Sequence, residues 1–312
     1  MNGPDQISPP LTIVVTLLLA AVGTVAVAAT YRKLRGTTLV GSQVWLCACL
    51  VAVSAVEVWQ ALAAERTNAS TVEPLRFFAA TLTFCPLIAL MGAKRPQDRA
   101  WHFIVLSLWV VLALPALHVG LLRSGQMLST PSSLAWFMLA LIVIGLINRV
   151  LTPAWIGGLL FACGQTSLLA KHLPLVVNVP GIERYPCELI GLGLIVASAV
   201  LSWWLSHRRR PSAEPLDRLW LEFRDLFGVL WALRLAERVN SAAALTKSDL
   251  VLRWSGFQTS AGGRITESLS PDAVRILRQG LENLLRRFVS RAWIAERLQE
   301  SNDLTGAEDE TR

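Results

Sequence analysis

Charge is scarce in this chain. Of 312 residues only 16% are Asp, Glu, Lys or Arg, while 53% are hydrophobic and the mean hydropathy is +0.48. Soluble domains carry about 25% charged residues, so an ordinary soluble globule is excluded. Cysteine and histidine are also few, at five and four. Cys47, Cys49, Cys85 and Cys163 lie inside apolar runs and Cys187 stands alone at the end of one, which leaves no metal site or disulfide framework to draw. A Gly-rich phosphate loop, HExxH, GxSxG and paired CxxC are all missing. No catalytic residue is nominated on these grounds, and the reading leans away from an enzyme. The last apolar run contains no lysine, which removes a retinal Schiff base. Of the histidines, His118 and His172 alone share a depth suited to bis-imidazole haem, yet both sit at run ends, so haem is the weakest reading and no cofactor is assigned.

What the chain does have is apolar length. A bilayer crossing needs roughly 20 apolar residues, and seven runs approach or reach it: 11–30, 39–62, 75–92, 101–119, 133–148, 153–170 and 188–206. The fifth and sixth are short and separated only by Arg149 to Thr152, so they form either two crossings or one re-entrant hairpin. The first run is preceded by MNGPDQISPP, which has no Lys or Arg, and it exceeds the 7–15 residues of a signal-peptide core; it reads as a retained helix. The expected fold is all-α: a polytopic helical membrane protein of about seven transmembrane helices over residues 1–210, followed by a small, mainly helical cytoplasmic domain over 211–300 and a disordered tail over 301–312.

Orientation follows from lysine and arginine in the connections. Arg32, Lys33, Arg35, Lys94, Arg95, Arg99, Arg149, Arg208, Arg209 and Arg210 fall on one side if seven spans alternate, and Arg66, Arg76, Arg123, Lys171 and Arg184 on the other. Ten against five makes the first side cytoplasmic in the cell membrane, with the amino terminus outside and the carboxyl terminus inside. Trp203, Trp204 and the triple arginine after them suit an inner interface of aromatic rings and anionic headgroups. The net charge of +7 belongs mostly to membrane connections: residues 207–312 hold 17 basic and 15 acidic side chains. No basic domain face remains for nucleic acid, so the bilayer is the first partner. Asn68-Ala69-Ser70 has the glycosylation pattern but is too common a tripeptide to carry weight.

An ionisable group at membrane depth is the natural place to look for function. Glu57 lies about five residues inside the outer end of the second run, with Ser54, Gln60 and Ala61 on its helical face. Gln165 of the sixth run lies at a similar depth, on a face shared with Gly158 and Ala162 that permits close helix approach. Thr81 and Thr83 fall in the same half, and His118, Lys171, His172 and Glu188 mark the outer rim. Two readings stand. Glu57 takes up a proton or cation in an outward-facing polar pocket, or it is a protonated carboxyl that only hydrogen-bonds a neighbouring helix. Pro86 is expected to kink the third run by freeing a backbone carbonyl.

After the break at Pro211–Pro215, Leu216, Leu219, Trp220, Phe223, Phe227, Leu230 and Trp231 recur at helical spacing and predict one amphipathic helix to about Asn240. LVLRWSGFQ predicts a short strand, SAGGR a turn, and Ser270-Pro271-Asp272 the start of a second amphipathic helix running through Trp293 to Leu298. The acids Glu222, Asp225 and Glu237 disfavour a lipid-surface helix. Trp220, Phe227, Trp231 and Trp293 are the expected interaction surface, for a protein partner or for self-association. The leading expectation is therefore a membrane scaffold, assembly factor or sensor. The alternative is a small-solute or ion transporter using Glu57 and Gln165.

Overall fold

The computed structural model describes residues 8–63, 69–94, 98–122, 126–177, 179–180, 186–208, 214–245, 250–259 and 271–298. Arg66, Asn68, Arg95, Arg123, Arg184, Arg209, Arg210, the SAGGR turn, Ser270 and the 301–312 tail lie outside them. In chain order the elements are α1 (Pro9–Leu34), α2 (Val40–Leu62), α3 (Ala69–Thr81), a 3₁₀ turn over Leu82–Phe84, α4 (Cys85–Met91), α5 (Asp98–Leu122), α6 (Ser132–Val150), α7 (Trp155–Leu168), a second 3₁₀ turn over Ala170–His172, and α8 (Cys187–Arg208). Then follow α9 (Pro215–Phe227), α10 (Val229–Leu245), β1 (Leu250–Arg253), β2 (Gly256–Thr259), α11 (Pro271–Leu285) and a last helix, α12, over 291–298.

Among the described residues six helices are long and apolar enough to cross a membrane: α1, α2, the α3–α4 unit, α5, α6 and α8. The run expected as a sixth of seven spans is α7, a helix of 14 residues, about 21 Å at helical rise and short of the usual crossing length. It nevertheless runs along α8 from Ser202 at one end to Cys187 at the other: Ser198 Oγ donates to the Gly157 carbonyl and Ser167 Oγ to the Cys187 carbonyl. The two backbones touch because neither has a side chain at the crossing. A Cβ on Gly164 would lie 2.9 Å from the Gly191 carbonyl oxygen, and one on Gly191 would meet the Gly164 oxygen at the same distance. The small-residue face expected at Gly158, Ala162 and Gln165 is thus joined by Gly157 and Gly164, which make the close approach.

The α3–α4 unit is the axis of the bundle, with 67% of its apolar window buried against 22–33% for the other five. Pro86 has no N–H for the Leu82 carbonyl, and Cys85 N–H takes that oxygen instead in a tighter bond, giving the 3₁₀ turn. Neighbouring spans satisfy what is left. Gln165 Nε2 donates to the Thr83 carbonyl at 3.1 Å, and Ser42 Oγ to the Pro86 carbonyl at 2.7 Å.

Beyond α8 the chain folds back onto one end of the bundle, the domain end; the other is the far end. The amphipathic stretch expected as one helix is two, α9 and α10, broken at Gly228, which adopts φ 79°. Asn148 at the end of α6 fills that break: its Oδ1 accepts Leu230 N–H at 3.0 Å and its Nδ2 points to the Phe227 carbonyl. The expected strand is a hairpin, with Leu250 opposite Thr259 and Arg253 opposite Gly256. The second amphipathic helix is also interrupted, because Val289 leaves it to pair with Thr37, and Ser290 N–H bonds the Gly36 carbonyl at 2.7 Å.

The core of this region reaches into the edge of the bundle. Leu219, Phe223, Phe227, Leu235, Leu252, Leu285 and Trp293 pack together with Leu90 of α4 and with Leu39 and Ala93 from the connections between spans. Phe288 is held between the rings of Phe223, Phe227 and Trp231 at 4.9–5.5 Å. Trp231 Nε1 donates to the Leu90 carbonyl at 2.8 Å and Trp254 Nε1 to the Leu151 carbonyl at 3.0 Å. Trp220, Phe227, Trp231 and Trp293, expected as an interaction surface, are 0–6% exposed. They are core residues, because the apolar faces of α9 to α12 cover one another and the connections rather than remaining open.

Candidate functional site

Two polar sites occupy the bundle, one at each end. At the far end Glu57 of α2 is 4% exposed, and a lone carboxylate there would be very costly. Arg76 of α3 answers it with a two-pronged contact: Nε to Oε1 at 2.8 Å and Nη2 to Oε2 at 2.7 Å, the strongest geometry a guanidinium and a carboxylate can form. The third nitrogen, Nη1, lies 3.0 Å from Glu188 in the first turn of α8, and Lys171 Nζ reaches the same Glu188 oxygen at 3.4 Å. Two acids and two bases thus link α2, α3, α8 and the Ala170–His172 turn into a neutral chain. The adjoining void, lined by Val53, Val56 and Leu168 as well as by the ion pairs, is about 10 Å³, room for one water at most.

Glu57 hydrogen-bonds a neighbouring helix, as in the second sequence reading, and the partner there is an arginine. Arg76, counted from the sequence only among the outer-side charges, is Glu57's partner, and Lys171 and Glu188, expected at the rim, complete the chain. The available signal was an acid and a base at matching depth on consecutive spans. The other candidates do not join them. Gln165 bonds Thr83 at its carbonyl and Oγ1, seven residues and about 10 Å along the helix from Arg76. Thr81 Oγ1 bonds the Phe78 carbonyl of its own helix. Gln60 Oε1 and Ser54 Oγ are buried without a hydrogen-bond partner. His118 is exposed on α5. His172 lies edge-on to Phe77 at 4.6 Å with Nδ1 3.0 Å from Thr130 Oγ1. Burial, reinforced by the charge of Lys171, lowers its pKa to about 4. Among the described residues no group of three or more His, Cys, Asp or Glu is gathered as a metal site.

The domain-end site was not anticipated. A cavity of about 860 Å³, within the usual 300–1,000 Å³ of ligand sites, lies between α1, α2 and α4 on one side and α6, α7 and α8 on the other. It exists because α7 starts late, after the turn at Leu151–Ala154, and starts with Gly157 and Gly158. Its inner part is apolar, walled by Leu46, Leu87, Phe161, Ala162, Ile195 and Ala199. Residues of α9 (Arg218, Leu221, Glu222, Arg224, Asp225 and Leu226), with Glu296 and Arg297 of α12, form its roof. Six cations line it (Arg32, Lys33, Arg149, Arg218, Arg224 and Arg297) against the three acids Glu222, Asp225 and Glu296. Several of the cations also hold the roof: Arg149 Nη1 donates to the Asp225 carbonyl at 3.1 Å, and Arg297 Nε to Glu222 at 2.5 Å. Between rim and interior sits Gln43, whose Nε2 bonds the Val27 carbonyl and Thr30 Oγ1 and whose buried Oε1 has no partner. The sequence carried a faint mark of this site in Ser198, Ser202 and Ser206, four residues apart on one face of an otherwise apolar helix.

Fold and sites together define an all-α protein with six helices long and apolar enough to cross a membrane. No family model, curated protein or solved structure matches the chain, so its function is argued from these sites alone.

Proposed function

We propose that this is a multi-pass cell-membrane sensor or scaffold, in which the C-terminal domain responds to what occupies the cavity at its seam with the bundle. One observation carries the reading: the cavity walls come from six bundle helices and its roof from α9 and α12. A ligand there touches both parts at once. Its affinity therefore depends on how the domain is seated, and by linkage its binding biases that seating. The domain is the output element, and partner binding or self-association falls to its outer, polar faces. Its place on the cytoplasmic side rests on the lysine and arginine bias of the connections beneath it. Transport through Glu57 has less support, since that carboxylate is already matched by Arg76 and the space beside it is water-sized.

The test is hydrogen exchange of the full-length protein in lipid nanodiscs, comparing wild type with Ser202→Leu, which places a bulky apolar group in the cavity. Amides of α9 and α12 are expected to change their exchange severalfold while those of α3 do not. Wild-type exchange throughout α9 and α12 in the filled variant would sink the reading.

A further inference from the structure

The cavity is graded from charge to hydrocarbon. At the roof and rim are the six cations and three acids, a surplus of three positive charges. Gln43, nine-tenths buried, lines the same space with its side-chain amide tied to α1. Below it the walls are aliphatic and aromatic as far as Gln165. From Gly157 to Gln165 along α7 the lining spans eight residues, about 12 Å at helical rise. A cavity with apolar walls and a cationic rim suits hydrocarbon with an anionic head.

Resting on the reading of this cavity as a ligand site, we propose that it binds an anionic amphiphile: a phosphate-bearing head between the Arg32/Lys33 and Arg149 sides of the rim, and an acyl chain along Phe161, Ala162 and Ile195. Lysophospholipids have this chemistry. The apolar walls supply most of the affinity by burying hydrocarbon, and the rim supplies selection by charge.

The probes are myristoyl lysophosphatidic acid, monomyristoyl glycerol and inorganic phosphate, added to purified full-length protein in phosphatidylcholine nanodiscs. Binding is read by native mass spectrometry and by hydrogen exchange along α7 and α8. The phosphate-bearing amphiphile is expected to bind about tenfold or more tighter than the monoglyceride, and phosphate alone to give no protection. Arg32→Gln with Arg149→Gln is expected to erase the preference over the monoglyceride, and Ser202→Leu to abolish binding. Ala162→Leu is a second way to fill the channel should the first variant fail to fold. Equal binding of the monoglyceride, protection by phosphate alone, or undiminished binding in both filled variants overturns the assignment. The two proposals fail separately. If the amphiphile binds and α9 and α12 do not respond, the ligand class stands and the sensor falls; if Ser202→Leu alters α9 while no probe binds, the reverse holds.

Discussion

At the far end of the bundle, Glu57, Arg76, Glu188 and Lys171 neutralise one another in a continuous chain beside a void of about 10 Å³. At the domain end, six cations meet three acids around about 860 Å³. The same kinds of residue are used in both places, and what separates them is completeness. A chain that satisfies every charge with another leaves no work for a ligand and fastens helices together. A cluster with surplus positive charge around open volume leaves room for an anionic ligand. Functional weight therefore moves from the site that the sequence advertised to the one that it barely marked.

The comparison can be broken most directly at Arg76. Arg76→Leu strands a buried carboxylate and is expected to cost about 3–5 kcal/mol, the range for removing one partner of a buried pair. The double variant with Glu57→Leu should recover most of that, since apolar replacement of a whole pair is often nearly neutral. Unfolding of the detergent-solubilised protein measures both, and a single variant no worse than the double would mean that the far-end chain fastens nothing.

Gly228→Ala sharpens the domain-end side. The residue has φ 79°, and a Cβ there would lie 2.5 Å from the Asn148 carbonyl oxygen, so strain of about 1–3 kcal/mol falls on the seam. Limited proteolysis between α9 and α10 should accelerate while hydrogen exchange in α2 and α3 stays unchanged. If exchange rises equally at both ends, seam and bundle are one cooperative unit and the two-site picture fails.

The smallest effect is expected at His172. Its folded pKa of about 4 lies below the ordinary value near 6.5, so the unfolded chain binds the extra proton first. Stability should be full above pH about 6.5 and fall as pH drops toward about 4, by on the order of 1–3 kcal/mol. His172→Phe should flatten that slope. A wild-type slope unaltered by the replacement would assign it to other groups.

Much of the architecture was legible because it depends on local quantities. Six apolar runs became helices of crossing length, Pro86 loosened the third, and helical spacing after Pro215 gave amphipathic helices. The breaks at Gly228 and near Val289 were not legible, since each follows from a distant group: Asn148 of α6 for the first, Thr37 and Gly36 of the α1–α2 connection for the second. The aromatic set Trp220, Phe227, Trp231 and Trp293 misled for a related reason. An apolar helix face states that something must cover it, and only the fold states that the cover is the same chain.

By itself, then, the sequence determined that the chain is helical, that it carries several segments apolar and long enough to cross a bilayer, and that a charge-rich stretch follows them. These are properties of length, periodicity and composition, fixed residue by residue. Tertiary structure alone decided that Glu57 is answered by Arg76, that the domain's core closes on the bundle's own connections, and that a late start to α7 leaves a charged, roofed cavity. Each of those depends on where separate helices meet, and a meeting point is a property of packing that no single segment encodes.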